Sequence, residues 1–244
     1  MKRNEKYPYV ICHMLQSIDG RISGQLFRSS ATASLSQIYK RISEEYHADA
    51  IFYGRTTADE IFTYENHLDL KSFLNQKIDK NDYICLNENK EWIVIVDDKG
   101  NLAWNNESLN HPRLKNKNVI EVLSENTSDE YLCYLKSLGI SYIFAGKDSL
   151  SMKKALEKLK SKFQIQTILL QGGGIINESF VNENLIDELS LVISPVIGGE
   201  SHIPTSFECK NFIKPVLREY SLIKAEILSH SGLWLNYKKE NKYE

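Results

Sequence analysis

The 244-residue sequence predicts a mixed α/β fold, with a mostly parallel sheet, helices on both faces and an antiparallel strand pair at the carboxyl end. Three observations predict it. Apolar runs of strand length alternate with stretches of helical period along most of the chain. The tail "REYSLIKAEIL…GLWLNYKKE" reads as two paired strands around a turn at Ser231-Gly232. No Pro/Gly/Ser-rich linker, repeat or low-complexity segment interrupts the alternation, so a single domain over 1–244 is expected.

In order, "YVICHMLQ" is a first strand. "SLSQIYKRISEEYH" carries Leu35, Ile38, Ile42 and Tyr46 at helical spacing, with Ser34 as its cap. "DAIFYG" and "EWIVIVDD" are short buried strands, and "NVIEVLS" is a third. A helix around Tyr131–Leu138 stops at Gly139. "ISYIFAG", a helix over Ser151–Phe163, and "TILLQ" follow. A helix after the glycines leads into "DELSLVISPVI". The polar stretches 66–89 and 105–118 are expected to be the least ordered.

Composition narrows the function. A formal net charge of -2 offers no basic field for a nucleic-acid backbone or an anionic membrane. No apolar run approaches membrane-spanning length, and the amino terminus has no signal-type core. Cys12, Cys85, Cys133 and Cys209 are widely separated without a C-x-x-C pair, which fits reduced thiols in a cytoplasm. The histidines lack metal-ligand spacing, and no metal is expected. His13 reads as a packed strand residue, and Asp187-Glu188 falls within an alternating strand pattern.

Three stretches carry chemistry. "TILLQGGGII" runs a buried strand into Gly172, Gly173 and Gly174 and then a helix. Glycines there let backbone N–H groups approach an anion, and the helix's positive end adds attraction. The alternative is a tight turn that needs positive φ. The pattern is neither a G-x-G-x-x-G fingerprint, since Asn177 stands where its last glycine would be, nor a Walker loop. "FYGRTTADE" places Gly54, Arg55, Thr56 and Thr57 after a buried strand, as an anion-binding turn or a threonine-capped helix start. "SIDGRISG" puts Asp19-Gly20 at a turn after the first strand.

Together and in this order, these stretches resemble the dihydrofolate-reductase-like fold. They resemble most closely the reductase domain at the carboxyl end of bacterial bifunctional riboflavin-synthesis enzymes. "YVICHMLQSIDGRISG" is similar to that family's opening strand and S-x-D-G-[KR]-I turn, and "ADAIFYGRTT" to its D-A-I-x-x-G-x-x-T motif. "ILLQGGGIINESFVNENLIDELSLVISPVIGG" is similar to its strand, glycine turn, helix and P-V-x-x-G-G loop. The resemblance covers nearly the whole chain.

It implies an NADPH-dependent reductase that transfers hydride to a small heterocyclic substrate. The leading named candidate is a 5-amino-6-(5-phosphoribosylamino)uracil-type pyrimidine of riboflavin synthesis. Carried over by position, Gly172, Gly173 and Gly174 cradle the pyrophosphate, with Ile175 and Ile176 at the helix's first turn. Gly54, Arg55, Thr56 and Thr57 hold the adenosine side, and Arg55 matches a 2′-phosphate. Asp97 and Asp98 lie near the adenine ribose, where acids disfavour that phosphate. Asp19 is the candidate substrate-facing catalytic group, open between proton donor and turn residue. Arg21, Gln171 and Gly198 complete the substrate side, with Pro195, Ile197 and Gly199 on the far wall. A homodimer is expected by analogy.

Two departures fall on the substrate side. The family's glutamate before the glycines is Gln171, and "ADEIFTYENHL" replaces its D-D-P-x-L-T stretch. Two alternatives therefore stay open: a non-catalytic nucleotide-binding module on the same fold, and a reductase of an unrelated small molecule. No deaminase signature accompanies the chain.

Overall fold

The structure, a computed structural model, describes residues 6–64, 66–85, 88–199, 201–209 and 217–240. In chain order its first elements are β1 (Tyr9–Ser17), α1 (Ser30–Glu45), β2 (Ala50–Gly54) and α2 (Arg55–Ala58), which runs into a π turn over Asp59–Thr63. Then come β3 (Glu91–Val96), α3 (Asn106–Leu109), β4 (Lys117–Leu123), α4 (Asp129–Ser137) and β5 (Ser141–Phe144). The chain continues through α5 (Met152–Phe163), β6 (Thr167–Leu170), α6 (Gly174–Asn182), β7 (Glu188–Ser194), β8 (Tyr220–Ile227) and β9 (Leu233–Lys239). The mixed, mostly parallel α/β class is as the sequence predicts.

The chain divides into two compact units, Met1–Pro8 with Asp49–Gln166 and Tyr9–Ala48 with Thr167–Glu244. In the first, β5, β4, β3 and β2 lie side by side in that order, all parallel. Strand alternation gives its sheet two covered faces. Ile93 and Ile95 of β3 join a core with Leu132 and Leu135 of α4, whereas Trp92 meets Phe163 of α5 edge to face, with ring centroids 5.0 Å apart. Burying a side chain of this size contributes roughly 1.5–3 kcal/mol, so these few contacts suffice to seat each helix.

In the second unit the order is β6, β1, β7, β9, β8. β6, β1 and β7 are parallel, and β9 and β8 turn antiparallel. β1 is buried without a break from Val10 to Leu15, as befits a strand flanked by two others and covered on its faces. α1 lays Leu35 and Ile42 on Leu15 and Val192. The hairpin turn lies at Ser229–Gly232, where Leu228 N–H donates to Gly232 O at 2.8 Å.

Three expectations need correction. α1 begins at Ser30 with Ser29 as its cap, a turn earlier than Ser34, whose hydroxyl donates back to Ser30 O. The polar stretch after Asn66 is tied down: Leu68, Leu70, Phe73 and Ile78 pack on the core, and Asp82 takes Lys158 at 2.9 Å and Lys162 at 2.7 Å. The stretch from Asn105 holds α3, closed by a capping box between Asn105 and Ser108. In each case local polarity concealed side chains that were already committed to packing or capping.

Candidate functional site

The turn after β2 belongs to the first unit. Gly54 ends the strand and stands as the N-cap of α2, with φ −80° and ψ 161°. Arg55, Thr56 and Thr57 form the helix's first turn, so the threonines do not cap it. Arg55 and Thr56 are exposed. Their side chains and that of Thr57 make no hydrogen bond among the described residues.

The neighbouring strand β3 is followed at once by Asp97, which is fully buried. Its Oδ2 accepts from Asn101 N–H at 2.6 Å and Leu102 N–H at 2.9 Å. Burial raises its pKa above the usual carboxylate value, against the pull of those two amides and of Arg55. Its role is to fold the loop after β3. Of the expected ribose-side acids, only Asp98 is exposed.

Beneath that loop lies a polar cluster that sequence reasoning missed. Glu121, fully buried on β4, accepts from Trp104 Nε1–H at 2.5 Å and from Tyr131 O–H at 3.1 Å. Burial and the nearby Asp97 push its pKa well above the ordinary range. An acid inside the apolar run "NVIEVLS" was the available signal.

The glycine turn belongs to the second unit. Gly172 follows β6, Gly173 is the N-cap of α6 with φ −66° and ψ 171°, and Gly174, Ile175 and Ile176 open the helix. The positive-φ explanation therefore fails at Gly173. Gly174 answers to space instead: a Cβ there would overlap Thr205 O and come within 2.6 Å of Glu208 Cγ. No side chain occupies the cap position, and Ile175 is 41% exposed. A capless helix start of this kind leaves first-turn N–H groups without intrahelical partners, which suits a phosphate.

Segment 201–209 straps this turn to the turn after β1. Glu208 N–H donates to Gly174 O at 3.0 Å, and Asn177 Nδ2 donates to Ser206 O at 2.8 Å. At the other end Ser206 N–H donates to Gly20 O at 3.1 Å and Ile22 N–H to Pro204 O at 3.1 Å. Nothing in "SHIPTSFEC" announced this role, because a polar loop carries no period.

The β1 turn brings Asp19, Arg21 and Gly198 together. Asp19 Oδ1 accepts from Ser17 Oγ–H at 2.5 Å and Gly198 N–H at 2.9 Å, and its Oδ2 accepts from Gly199 N–H at 3.0 Å. These donors hold the carboxyl well below the usual carboxylate range. Arg21 stretches under Gly198, where a Cβ would meet its Cγ at 2.8 Å, and its Nη1 donates to Ile203 O at 2.5 Å. Gln171 is not part of this group, since its Nε2 donates to Ser43 Oγ of α1 at 2.9 Å.

His13 lies buried beside Ser190 Oγ at 2.9 Å and Tyr39 O at 3.0 Å, stacked on the Tyr39 ring. Burial lowers its pKa to about 4, so it is neutral and structural, as a packed strand residue should be. Asp187 and Glu188 are likewise consumed, by Val10 N–H and by Tyr9, Tyr46 and Asn236.

With the geometry in view, the chain's kinship is informative. Residues 8–230 match the family model described as the RibD C-terminal domain. The chain belongs to that family. Among its curated relatives is the 2,5-diamino-6-ribosylamino-4(3H)-pyrimidinone 5′-phosphate reductase of Archaeoglobus fulgidus, 25% identical over 211 residues, which are 85% of this chain and 89% of that one. The protein of the same name from Aquifex aeolicus is 31% identical over 96 residues, 39% of this chain and 42% of that one. Among solved structures, Acinetobacter baumannii RibD superposes with a TM-score of 0.64 at 21% identity, over 97% of this chain and 59% of that one. The chain thus spans well under two thirds of the Aquifex relative and of that RibD chain. The dihydrofolate-reductase-like expectation for the fold is met in these RibD-type neighbours. Among the described residues no helix is long and apolar enough to cross a membrane, and no cluster of metal-ligating residues occurs.

Proposed function

We propose that this chain is an NADPH-dependent reductase that transfers hydride to a phosphoribosylated pyrimidine of riboflavin synthesis. The observation that carries the reading is the RibD C-terminal domain match over residues 8–230, with an exposed Arg55 that makes no hydrogen bond among the described residues. The 5-amino-6-(5-phosphoribosylamino)uracil implied by the motifs is one candidate substrate. The 2,5-diamino-6-ribosylamino-4(3H)-pyrimidinone 5′-phosphate in the relatives' names is favoured by the alignment that spans 85% of the chain.

The residues of each unit suit one part of a dinucleotide. Gly172, Gly173 and Gly174 give an anion a capless helix start, with Ile175 and Ile176 in its first turn. Gly54 stands at the N-cap of α2, Thr56 and Thr57 offer hydroxyls, and Arg55 offers a fork that matches a 2′-phosphate. The bound cofactor supplies the hydride. The protein's own part is to hold the acceptor carbon close, exclude water and polarise the acceptor. Arg21, bonded to Ile203 O, and Gln171, bonded to Ser43 Oγ, are assigned to the substrate side.

Calorimetric titration with NADPH and with NADH tests the cofactor, followed by turnover of the two pyrimidines. Micromolar binding of NADPH, weaker binding of NADH and reduction of the diaminopyrimidinone phosphate are expected. Absence of binding by either nucleotide overturns the reading. Binding without turnover of either pyrimidine would favour a nucleotide-binding module.

The same reading includes a homodimer. β8 is the last strand in its order and exposes Leu222, Ile223 and Ile227 at 52, 56 and 85%. An uncovered apolar edge of this length is a pairing hazard that a second copy would remove. Sedimentation should give twice the chain mass, and Ile223→Lys should halve it.

A further inference from the structure

The most completely built polar site around the β1 turn is one the protein fills itself. Gly199 has φ +67°, so Gly198 and Gly199 present successive N–H groups from a left-handed turn. Successive N–H groups in such a turn form a concave anion site. A loop of this kind would be an obvious seat for a substrate phosphate. Here both N–H groups already point at one carboxylate, that of Asp19, at 2.9 and 3.0 Å.

The carboxylate is equally constrained from its own side. Ser17 Oγ donates to Oδ1 and in turn accepts from Arg21 N–H at 2.8 Å, while Ser17 N–H donates to Arg21 O at 2.9 Å. Ile18 N–H donates to Val196 O at 2.9 Å, a third tie between the two loops. Arg21 Nε lies 3.7 Å from Asp19 Oδ2, the one charged group that faces it among the described residues. Both oxygens of Asp19 are therefore engaged by donors of the protein, Oδ1 by two and Oδ2 by one.

We propose that Asp19 is a positioning residue that fills the Gly198-Gly199 nest and sets the Pro195–Gly199 loop, and that it neither gives nor takes a proton in the reaction. What the clamp positions is Ile197, 74% exposed at the loop's tip, next to Ile18, 61% exposed on the turn. The substrate wall is then apolar side chain held by backbone geometry, and Gly198 N–H is not free for substrate. The catalytic part of this inference rests on the reductase reading above, whereas the clamp itself does not.

The test pairs amide hydrogen exchange with kinetics in Asp19→Asn, Asp19→Ala and Ser17→Ala. Hydrogen bonds to a charged group contribute about 1.5–3 kcal/mol, so Asp19→Ala should speed exchange at Gly198 and Gly199 by about tenfold or more. Asp19→Asn should free Gly199 more than Gly198, because an amide NH₂ then faces a donor, and Ser17→Ala should have the smallest effect. With NADPH and the diaminopyrimidinone phosphate, the Asp19 variants should raise the pyrimidine KM by about tenfold while kcat keeps its pH profile. Unchanged exchange at both glycines in Asp19→Ala overturns the clamp. Loss of one limb of the kcat profile in Asp19→Asn overturns the claim that no proton passes through it. If no pyrimidine is turned over by the parent protein, the reductase reading has failed, and the exchange result still decides the clamp.

Discussion

The turns after β1 and after β2 occupy equivalent places, each at the carboxyl end of a buried parallel strand, yet they use their polar side chains in opposite ways. After β2, Arg55, Thr56 and Thr57 are left without hydrogen-bond partners among the described residues. After β1, Ser17, Asp19 and Arg21 are tied to one another, to the Gly198-Gly199 nest and to the strap at Ile203–Ser206. An uncommitted cation at a strand end is available to a ligand. One tied to the protein serves as scaffold, and its value lies in what it holds in place.

The largest effect expected from breaking this contrast lies under the tied turn. His13 has a pKa near 4 in the folded protein and an ordinary value of 6.5 when exposed. Below 6.5 the unfolded chain binds the extra proton first, so stability is complete above that pH and falls as pH drops towards 4. The window is worth about 3 kcal/mol. Urea unfolding at pH 7 and pH 4.5 should show this loss, reduced in a His13→Asn protein.

Next comes the strap. In Gly174→Ala the new methyl collides with Thr205 O and Glu208 Cγ. Overpacking of about 3 kcal/mol outweighs the roughly 1 kcal/mol that alanine gains in helix propensity. A net loss of about 2 kcal/mol is expected by thermal unfolding, together with weaker NADPH binding.

The open turn should respond in the reverse manner. Arg55→Ala should leave unfolding free energy within about 0.5 kcal/mol of the parent. NADPH affinity should fall about tenfold or more with NADH little changed, since a charged hydrogen bond contributes at least about 1.5 kcal/mol. Equal losses of stability and affinity would erase the distinction between the two turns.

The smallest effect concerns the buried acid beneath the open turn. Because Glu121 has a raised pKa when folded, its unfolded form ionises first, and stability drains as pH rises above 4.5. Glu121→Gln keeps an acceptor for Trp104 and Tyr131 and should lie within about 1 kcal/mol of the parent at pH 5. Between pH 5 and pH 8 it should lose less stability than the parent in denaturant titrations.

Much of the fold was legible because it depends on period. The buried strands of β1, β3 and β4, the helix that ends at Gly139 and the hairpin at Ser229–Gly232 all show in the spacing of apolar residues. The start of α1 was not, because Ser29 and Ser34 read alike as caps, and the extra turn is marked by a tertiary contact, the buried Thr32 hydroxyl against Ser194 Oγ at 2.7 Å. The ordered stretch after Asn66 escaped notice because Asp82, Lys158 and Lys162 are far apart in the chain.

At the candidate site, the sequence by itself determined which residue types stand at each strand end: Asp19 and Arg21, Gly54 to Thr57, Gln171 to Gly174. It also placed them in the order that marks the RibD C-terminal domain family. Only the tertiary structure decided which of those groups are spent. Whether a carboxylate meets water, a ligand or two glycine N–H groups depends on a loop nearly 180 residues further along the chain. No local pattern encodes such a meeting, because hydrogen bonds satisfy whichever donor the folded chain brings within 3 Å.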